Sequence, residues 1–244
     1  MGKLYVVGFG PGGYEHMTQK AADVIKKADV VTGYTTYVNI LKEFFPDKRY
    51  IATPMMQEVK RCEMAVEEAR KDQTVAMVSS GDSGIYGMAG IIYQVAEERN
   101  ADIEIETVPG VTAASAAASV LGAPLMHDFA VISLSDLMTP LDLIMKRVDC
   151  AGQGDLIVCL YNPKSKKRTD YVEQAADILL KYRRPDTPAG IVRNAGRKDE
   201  HSCITTLEKL KDADIDMFSV VIIGNSQTYE RNGRMITPRG YSLQ

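Results

Sequence analysis

The sequence predicts an α/β fold of two lobes, and three observations carry that expectation. Short apolar runs alternate with helical patterns along the whole chain. Several of these runs end abruptly in turns of small residues: Leu4-Tyr-Val-Val7 enters Gly8-Phe-Gly-Pro-Gly-Gly13, Val75-Ala-Met-Val78 enters Ser79-Ser-Gly-Asp-Ser-Gly84, and residues 103–108 enter Pro109-Gly-Val-Thr112. Junctions of this kind belong at the carboxyl edge of a parallel sheet, where open α/β folds bind ligands. Near the middle of the 244 residues, Gly122-Ala-Pro124 interrupts the alternation and divides the chain into lobes 1–121 and 122–244.

The elements follow in order. Strand 4–7 leads through the glycines to a helix over 18–27, strand 30–32, and a helix over 37–45. A helix over 55–71 comes next, with Met55, Val59, Cys62, Val66 and Ala69 spaced by four and three on one face, which assigns the methionine to the core. Strand 75–78, a helix over 85–99, strand 103–108 and an alanine-rich helix over 111–121 complete the first lobe. The second lobe runs through strand 129–134, a helix over 142–148, the strongly apolar strand 156–160 and a helix over 169–182. Strands at 189–192, 201–205 and 218–223 follow. The alternation through the first lobe predicts a mainly parallel sheet with helices on its faces, and the second lobe reads as a further α/β unit.

Composition narrows the function classes. With 45% apolar and 25% charged residues the chain has the balance of a soluble globular protein. A net charge of −3 offers no general attraction to nucleic acid, so an anionic partner must be met locally. Lys164, Lys166, Lys167 and Arg168 form one such patch, which also reads as a solvated helix start. No apolar run is long enough to cross a bilayer, and the amino terminus enters a strand at once without signal-peptide regions, so a cytoplasmic protein is expected. Cys62, Cys150, Cys159 and Cys203 are scattered, without a CxxC pair or histidines at metal-ligand spacing, and read as reduced structural thiols with no metal site.

Gly8, Gly10 and Gly13 satisfy the GxGxxG spacing of a dinucleotide turn. Two features oppose that reading: the next strand ends in Thr32-Gly33 without an acidic residue for a ribose, and Pro11 removes an N–H from the phosphate cradle.

Taken together and in order, Gly8-Phe-Gly-Pro-Gly12, Ser79-Ser-Gly-Asp-Ser-Gly-Ile-Tyr-Gly-Met88 and Val108-Pro-Gly-Val-Thr-Ala113 resemble the tetrapyrrole methylases, S-adenosylmethionine-dependent enzymes of sirohaem and cobalamin synthesis. Val131-Ile-Ser-Leu-Ser-Asp-Leu-Met-Thr-Pro140 and Leu160-Tyr-Asn-Pro-Lys-Ser165 resemble one branch, the precorrin-3B or cobalt-factor III C17-methyltransferases, which contract the ring. The resemblance spans the chain. It implies two α/β lobes with S-adenosylmethionine folded in a cleft between them, and a homodimer. By motif it assigns Pro11, Ser80, Gly81, Asp82, Ile85, Thr112 and Ala113 to the cofactor site, with Asn162 and Ala195 from the second lobe. Read singly, Pro11, Gly81 and Ala113 serve equally as turn or packing residues, Asp82 as a helix N-cap, and Thr112 as a capping hydroxyl.

Methyl transfer from a sulfonium to carbon is an in-line displacement that needs positioning and a water-poor site rather than a metal or a nucleophilic side chain. The implied tetrapyrrole carries many carboxylates, for which Lys164, Lys166, Lys167, Arg168, Arg193 and Arg197 are the candidate partners. Ring contraction needs proton transfers, and Ser133, Ser135, Asp136 and His127 are the candidates in and beside the branch signature. His127 also reads as a packed or surface histidine, and Asp136 as a cap of the following helix. Other readings are a uroporphyrinogen-III methyltransferase, a diphthine synthase, a methyltransferase of ribosomal RNA, and a non-catalytic S-adenosylmethionine sensor.

Overall fold

The computed structural model describes residues 2–242. The chain divides into two compact units, 1–113 and 114–244. The first unit contains β1 (Lys3–Gly8), α1 (Gln19–Lys27), β2 (Val30–Tyr34), α2 (Thr35–Phe44), β3 (Arg49–Thr53), α3 (Glu58–Ala69), β4 (Thr74–Ser79), α4 (Ala89–Glu98) and β5 (Glu104–Val108). Its sheet has five strands in the order β3-β2-β4-β1-β5, all parallel. Helices cover such a sheet on both sides, so β1, β2 and β4 read as continuous apolar runs. Leu4, Val6, Val30, Val75 and Met77 face a core with Cys62 and Val66 of α3 and Ile92 of α4. Val7, Val31, Ala76 and Val78 face another, with Ile25 of α1 and Leu41 of α2. Thr18 caps α1 by accepting the Ala21 N–H at 3.1 Å.

The second unit contains α5 (Ala113–Leu121), which begins at the junction, β6 (Gly122–Ala123), β7 (Phe129–Ser133), α6 (Leu141–Gln153), β8 (Ile157–Tyr161), α7 (Tyr171–Leu179), β9 (Pro188–Arg193), β10 (His201–Thr206), β11 (Ser219–Ile223), β12 (Tyr229–Arg231) and β13 (Arg234–Ile236). Its main sheet has the order β10-β9-β11-β8-β7, and β12, β13 and β6 form a small one. The core gathers Ile144 and Val148 of α6, Ala175 and Leu179 of α7, and Leu160, Ile191 and Val221 of the sheet.

The first sheet is parallel throughout, as its alternation predicts; in the second, β7 and β8 are parallel but β11 runs antiparallel to β8 and β9, and β10 antiparallel to β9. An apolar run reads the same in either direction, so the sequence left the strand directions of this sheet open. The structure corrects other expectations. The division of the chain falls before α5 rather than after it. The Ala114 N–H donates to the Tyr161 hydroxyl of β8 at 2.6 Å, and Leu121 fills the space a side chain at Gly190 of β9 would need. Helix α3 starts only at Glu58, because Pro54 and the positive φ of Met56 (65°) precede it. Met55 is therefore exposed rather than core, as is Val59, and Ala65 joins Cys62, Val66 and Ala69 on the buried face.

Candidate functional site

In the first unit, β4, β1 and β5 are neighbours and parallel, so the three small-residue turns that follow them emerge side by side. They are joined largely through backbone. Gly10 and Gly81 exchange N–H···O bonds at 3.0 and 2.6 Å, and the Phe9 N–H donates to the Ser79 carbonyl at 3.1 Å. Gly10 and Gly81 both have positive φ (78° and 69°), the region glycine enters without cost. A Cβ on Gly110 would lie 2.2 Å from the Gly81 carbonyl oxygen, so the third loop approaches the second as closely as bare backbone allows.

Asp82 binds the loops by side chain. Its Oδ1 accepts the Gly84 N–H at 2.8 Å and its Oδ2 accepts the Gly110 N–H at 3.0 Å. It caps no helix, since α4 begins at Ala89. Ser83 Oγ donates to the Val108 carbonyl at 3.2 Å, and Ser80 Oγ lies 3.4 Å from the carbonyls of Gly10 and Pro11. Pro11 is buried, Thr112 and Ala113 are half-buried, and Ile85 is exposed. Pro11, Ser80, Gly81, Asp82, Thr112 and Ala113 are thus brought to one edge of the sheet, with Ile85 on the same loop. The dinucleotide reading fails here: a short 3-10 turn (Tyr14–His16) follows the glycines, and α1 begins only at Gln19.

In the second unit, parallel pairing of β7 and β8 sets the 131–140 segment beside the Tyr161-Asn162-Pro163 turn. The Leu134 N–H donates to the Tyr161 carbonyl at 2.8 Å. Asn162, at φ 50°, donates from Nδ2 to Ser133 Oγ at 3.0 Å, and the Ser135 N–H donates to the same oxygen at 3.2 Å. Asp136 Oδ2 accepts the Tyr171 hydroxyl at 2.8 Å, and Arg168 Nη1 stands 3.8 Å from Asp136 Oδ1. The bond to Asp136 holds the Tyr171 phenol above its ordinary pKa. Asp136 caps no helix, because Pro140 occupies that position before α6. Ala195, buried between Asn194 and Gly196 of positive φ, follows β9. The register through β11 aligns the end of β9 with the end of β8, so Ala195 belongs to the same edge as Asn162.

His127 does not join this cluster. It precedes β7, whereas Ser133, Ser135 and Asp136 sit at or beyond its far end. At about 3.3 Å per residue, six residues of extended chain separate them by roughly 20 Å. Its Nε2 is buried without a hydrogen-bond partner among the described residues. The cation candidates also divide. Arg168 is half-buried and ties its loop to the segment after β7, donating to Ser165 Oγ at 3.1 Å and to the Leu134 carbonyl at 3.2 Å. Arg193 pairs with Asp216 at 2.8 Å. Lys166 and Lys167 are exposed in the loop before α7, Lys164 half-exposed there, and Arg197 half-exposed after β9.

Among the described residues no group of histidine, cysteine or acidic side chains has the arrangement of a metal site, and no helix is long and apolar enough to cross a membrane.

Residues 3–211 match the family model for tetrapyrrole (corrin/porphyrin) methylases. The chain is 47% identical to a probable cobalt-factor III C(17)-methyltransferase of Salmonella typhimurium, over 98% of this chain and 100% of that protein. It is 36% identical to the precorrin-3B C(17)-methyltransferase of a Sinorhizobium species, over 99% and 98% respectively. The crystal structure of the methyltransferase CobJ superposes with a TM-score of 0.90 at 32% identity, covering 98% of this chain and 100% of that one.

Proposed function

The chain belongs to the tetrapyrrole methylase family, and on that footing we propose that it is an S-adenosylmethionine-dependent methyltransferase that methylates C17 of cobalt-factor III in cobalamin synthesis, with associated ring contraction. The observation that carries the reading is full-length identity of 47% to a relative named for that reaction. The lower identity, 36%, to a relative named for precorrin-3B favours the cobalt-containing substrate.

The glycine junction of the first unit fits the methyl donor. Its loops pack backbone against backbone, because a Cβ on Gly8 or Gly110 would collide with neighbouring backbone at 2.7 and 2.2 Å. We assign Pro11, Ser80, Gly81, Asp82, Ile85, Thr112 and Ala113 to the lining of this site, and, on the family resemblance alone, Asn162 and Ala195 of the second unit to the cofactor as well. When bound, S-adenosylmethionine supplies an electrophilic methyl group. Asp82 keeps the second and third loops at fixed spacing through two backbone amides, a preorganisation that in-line transfer requires. Asn162 holds the Ser133 hydroxyl in place at the edge of the second unit.

For the proton transfers of ring contraction we assign Asp136, flanked by the Tyr171 hydroxyl and Arg168, with Ser133 and Ser135 beside it. For the carboxylates of the tetrapyrrole we assign Lys164, Lys166 and Lys167, exposed or half-exposed in the loop before α7, with Arg197 after β9; Arg168 and Arg193 already meet Asp136 and Asp216. The reading extends to a homodimer, which the family resemblance implies, and to the cytoplasm.

Turnover tests the proposal against a sensor that only binds. Purified protein incubated anaerobically with S-adenosylmethionine and cobalt-factor III should yield S-adenosylhomocysteine and a tetrapyrrole one methyl heavier. Tight binding of S-adenosylmethionine without its consumption would contradict it.

A further inference from the structure

Arg61 of α3 is 3% exposed, and no carboxylate among the described residues pairs with it. Its partners are neutral: Nε donates to Thr53 Oγ1 at 2.8 Å, Nη2 to the Pro54 carbonyl at 3.0 Å, and Nη1 to the Met88 sulfur at 3.8 Å. The Tyr34 ring lies 5.8 Å from its Cζ. A guanidinium has five N–H donors and stays charged, and a buried charge without a counter-ion is costly. The side chain clasps the ends of β2 and β3 and the segments that follow β3 and β4, on the carboxyl edge that also carries the glycine junction.

Both loops held by this clasp expose apolar side chains. Met55 and Met56, immediately after Pro54, are 50% and 78% exposed, and Tyr86, two residues before Met88, is 57% exposed. Met56 and Tyr86 also hold positive φ, 65° and 53°, a conformation uncommon for residues with side chains of this size. Strain and exposed apolar surface concentrated around an unmatched buried cation mark a ligand site.

We propose that Met55, Met56 and Tyr86 form the seat on which the tetrapyrrole macrocycle lies, and that Arg61 is the positioning residue beneath it, setting the gap between the two loops and supplying the charge for a peripheral carboxylate. This rests on the methyltransferase reading above. A flat apolar ring with carboxylates at its rim matches both halves of the feature.

The test separates the two readings. Met56→Asp and Tyr86→Asp change exposed positions, and aspartate tolerates positive φ, so both variants should fold. Each should weaken cobalt-factor III binding, measured by absorbance titration, tenfold or more, raise its KM by a similar factor, and leave S-adenosylhomocysteine affinity by calorimetry unchanged. Arg61→Lys should keep substrate affinity within a few-fold, while Arg61→Gln should lose about tenfold together with part of the salt dependence of binding. Wild-type substrate affinity in both aspartate variants would overturn the seat. A wild-type protein that binds no tetrapyrrole at all would overturn the methyltransferase reading and the seat with it.

Discussion

The Asp82 carboxylate accepts the backbone N–H of Gly110 at 3.0 Å, bridging the loop that follows β4 to the loop that follows β5. Its other oxygen accepts the Gly84 N–H at 2.8 Å, so one side chain satisfies amides on two loops. Asp82→Asn retains only one acceptor oxygen and turns an NH2 toward the other amide. A backbone N–H left unsatisfied costs about 1–3 kcal/mol. The variant should lose that much stability in denaturant melts and bind S-adenosylhomocysteine at least tenfold more weakly by calorimetry.

Asn162 combines a positive φ of 50° with a hydrogen bond from its side-chain amide to Ser133 Oγ, and two substitutions separate these roles. Asn162→Gly keeps the backbone and removes the amide, whereas Asn162→Ala loses both, at a backbone cost of about 1 kcal/mol. Thermal melts should therefore rank glycine above alanine. Both variants should raise the KM for S-adenosylmethionine if the amide supports the cofactor site.

Glu68 is held below the usual carboxylate range by hydrogen bonds from Lys71 and Arg49. A carboxyl group depressed on folding contributes stability above its unfolded pKa, and that contribution disappears as pH falls through the depressed value. Glu68→Gln should melt at a lower temperature than wild type at pH 7. The gap should close as melts are repeated down through the acid range.

Burial pushes the Cys62 and Cys159 thiols up to about 12, which leaves almost no thiolate at neutral pH. Cys150 and Cys203 are exposed. Native protein treated with an alkylating reagent at pH 8 should be modified at Cys150 and Cys203 only, with the two buried thiols reacting after denaturation; peptide mass mapping reads the pattern.

Where residues stand on buried parallel strands, the sequence was readable: β1 and β4 carry the apolar runs 4–7 and 75–78 and lead into glycine turns. Strand β3 was missed because an edge strand such as Arg49-Tyr-Ile-Ala-Thr53 is only partly buried and carries a charge. The β12–β13 hairpin had a signal, Asn232-Gly233, and both residues hold positive φ (53° and 71°) as a tight two-residue turn requires.

Motif loops announced the edge of the first sheet, but the work Asp82 does there depends on a neighbour 28 positions away, which no local pattern encodes. His127 looked close to Ser133 in sequence, and strand direction carried it to the opposite end of β7. Arg61 was invisible for another reason. A lone arginine in an amphipathic helix looks solvated until the loops that bury it are in place.

The most direct measurement supplies methyl-13C-labelled S-adenosylmethionine and cobalt-factor III under anaerobic conditions and follows the product by NMR. One new labelled methyl on C17, with the carbon signals of a contracted macrocycle, is the predicted result. Label at another ring position, or none in the tetrapyrrole while S-adenosylmethionine remains bound, would contradict it.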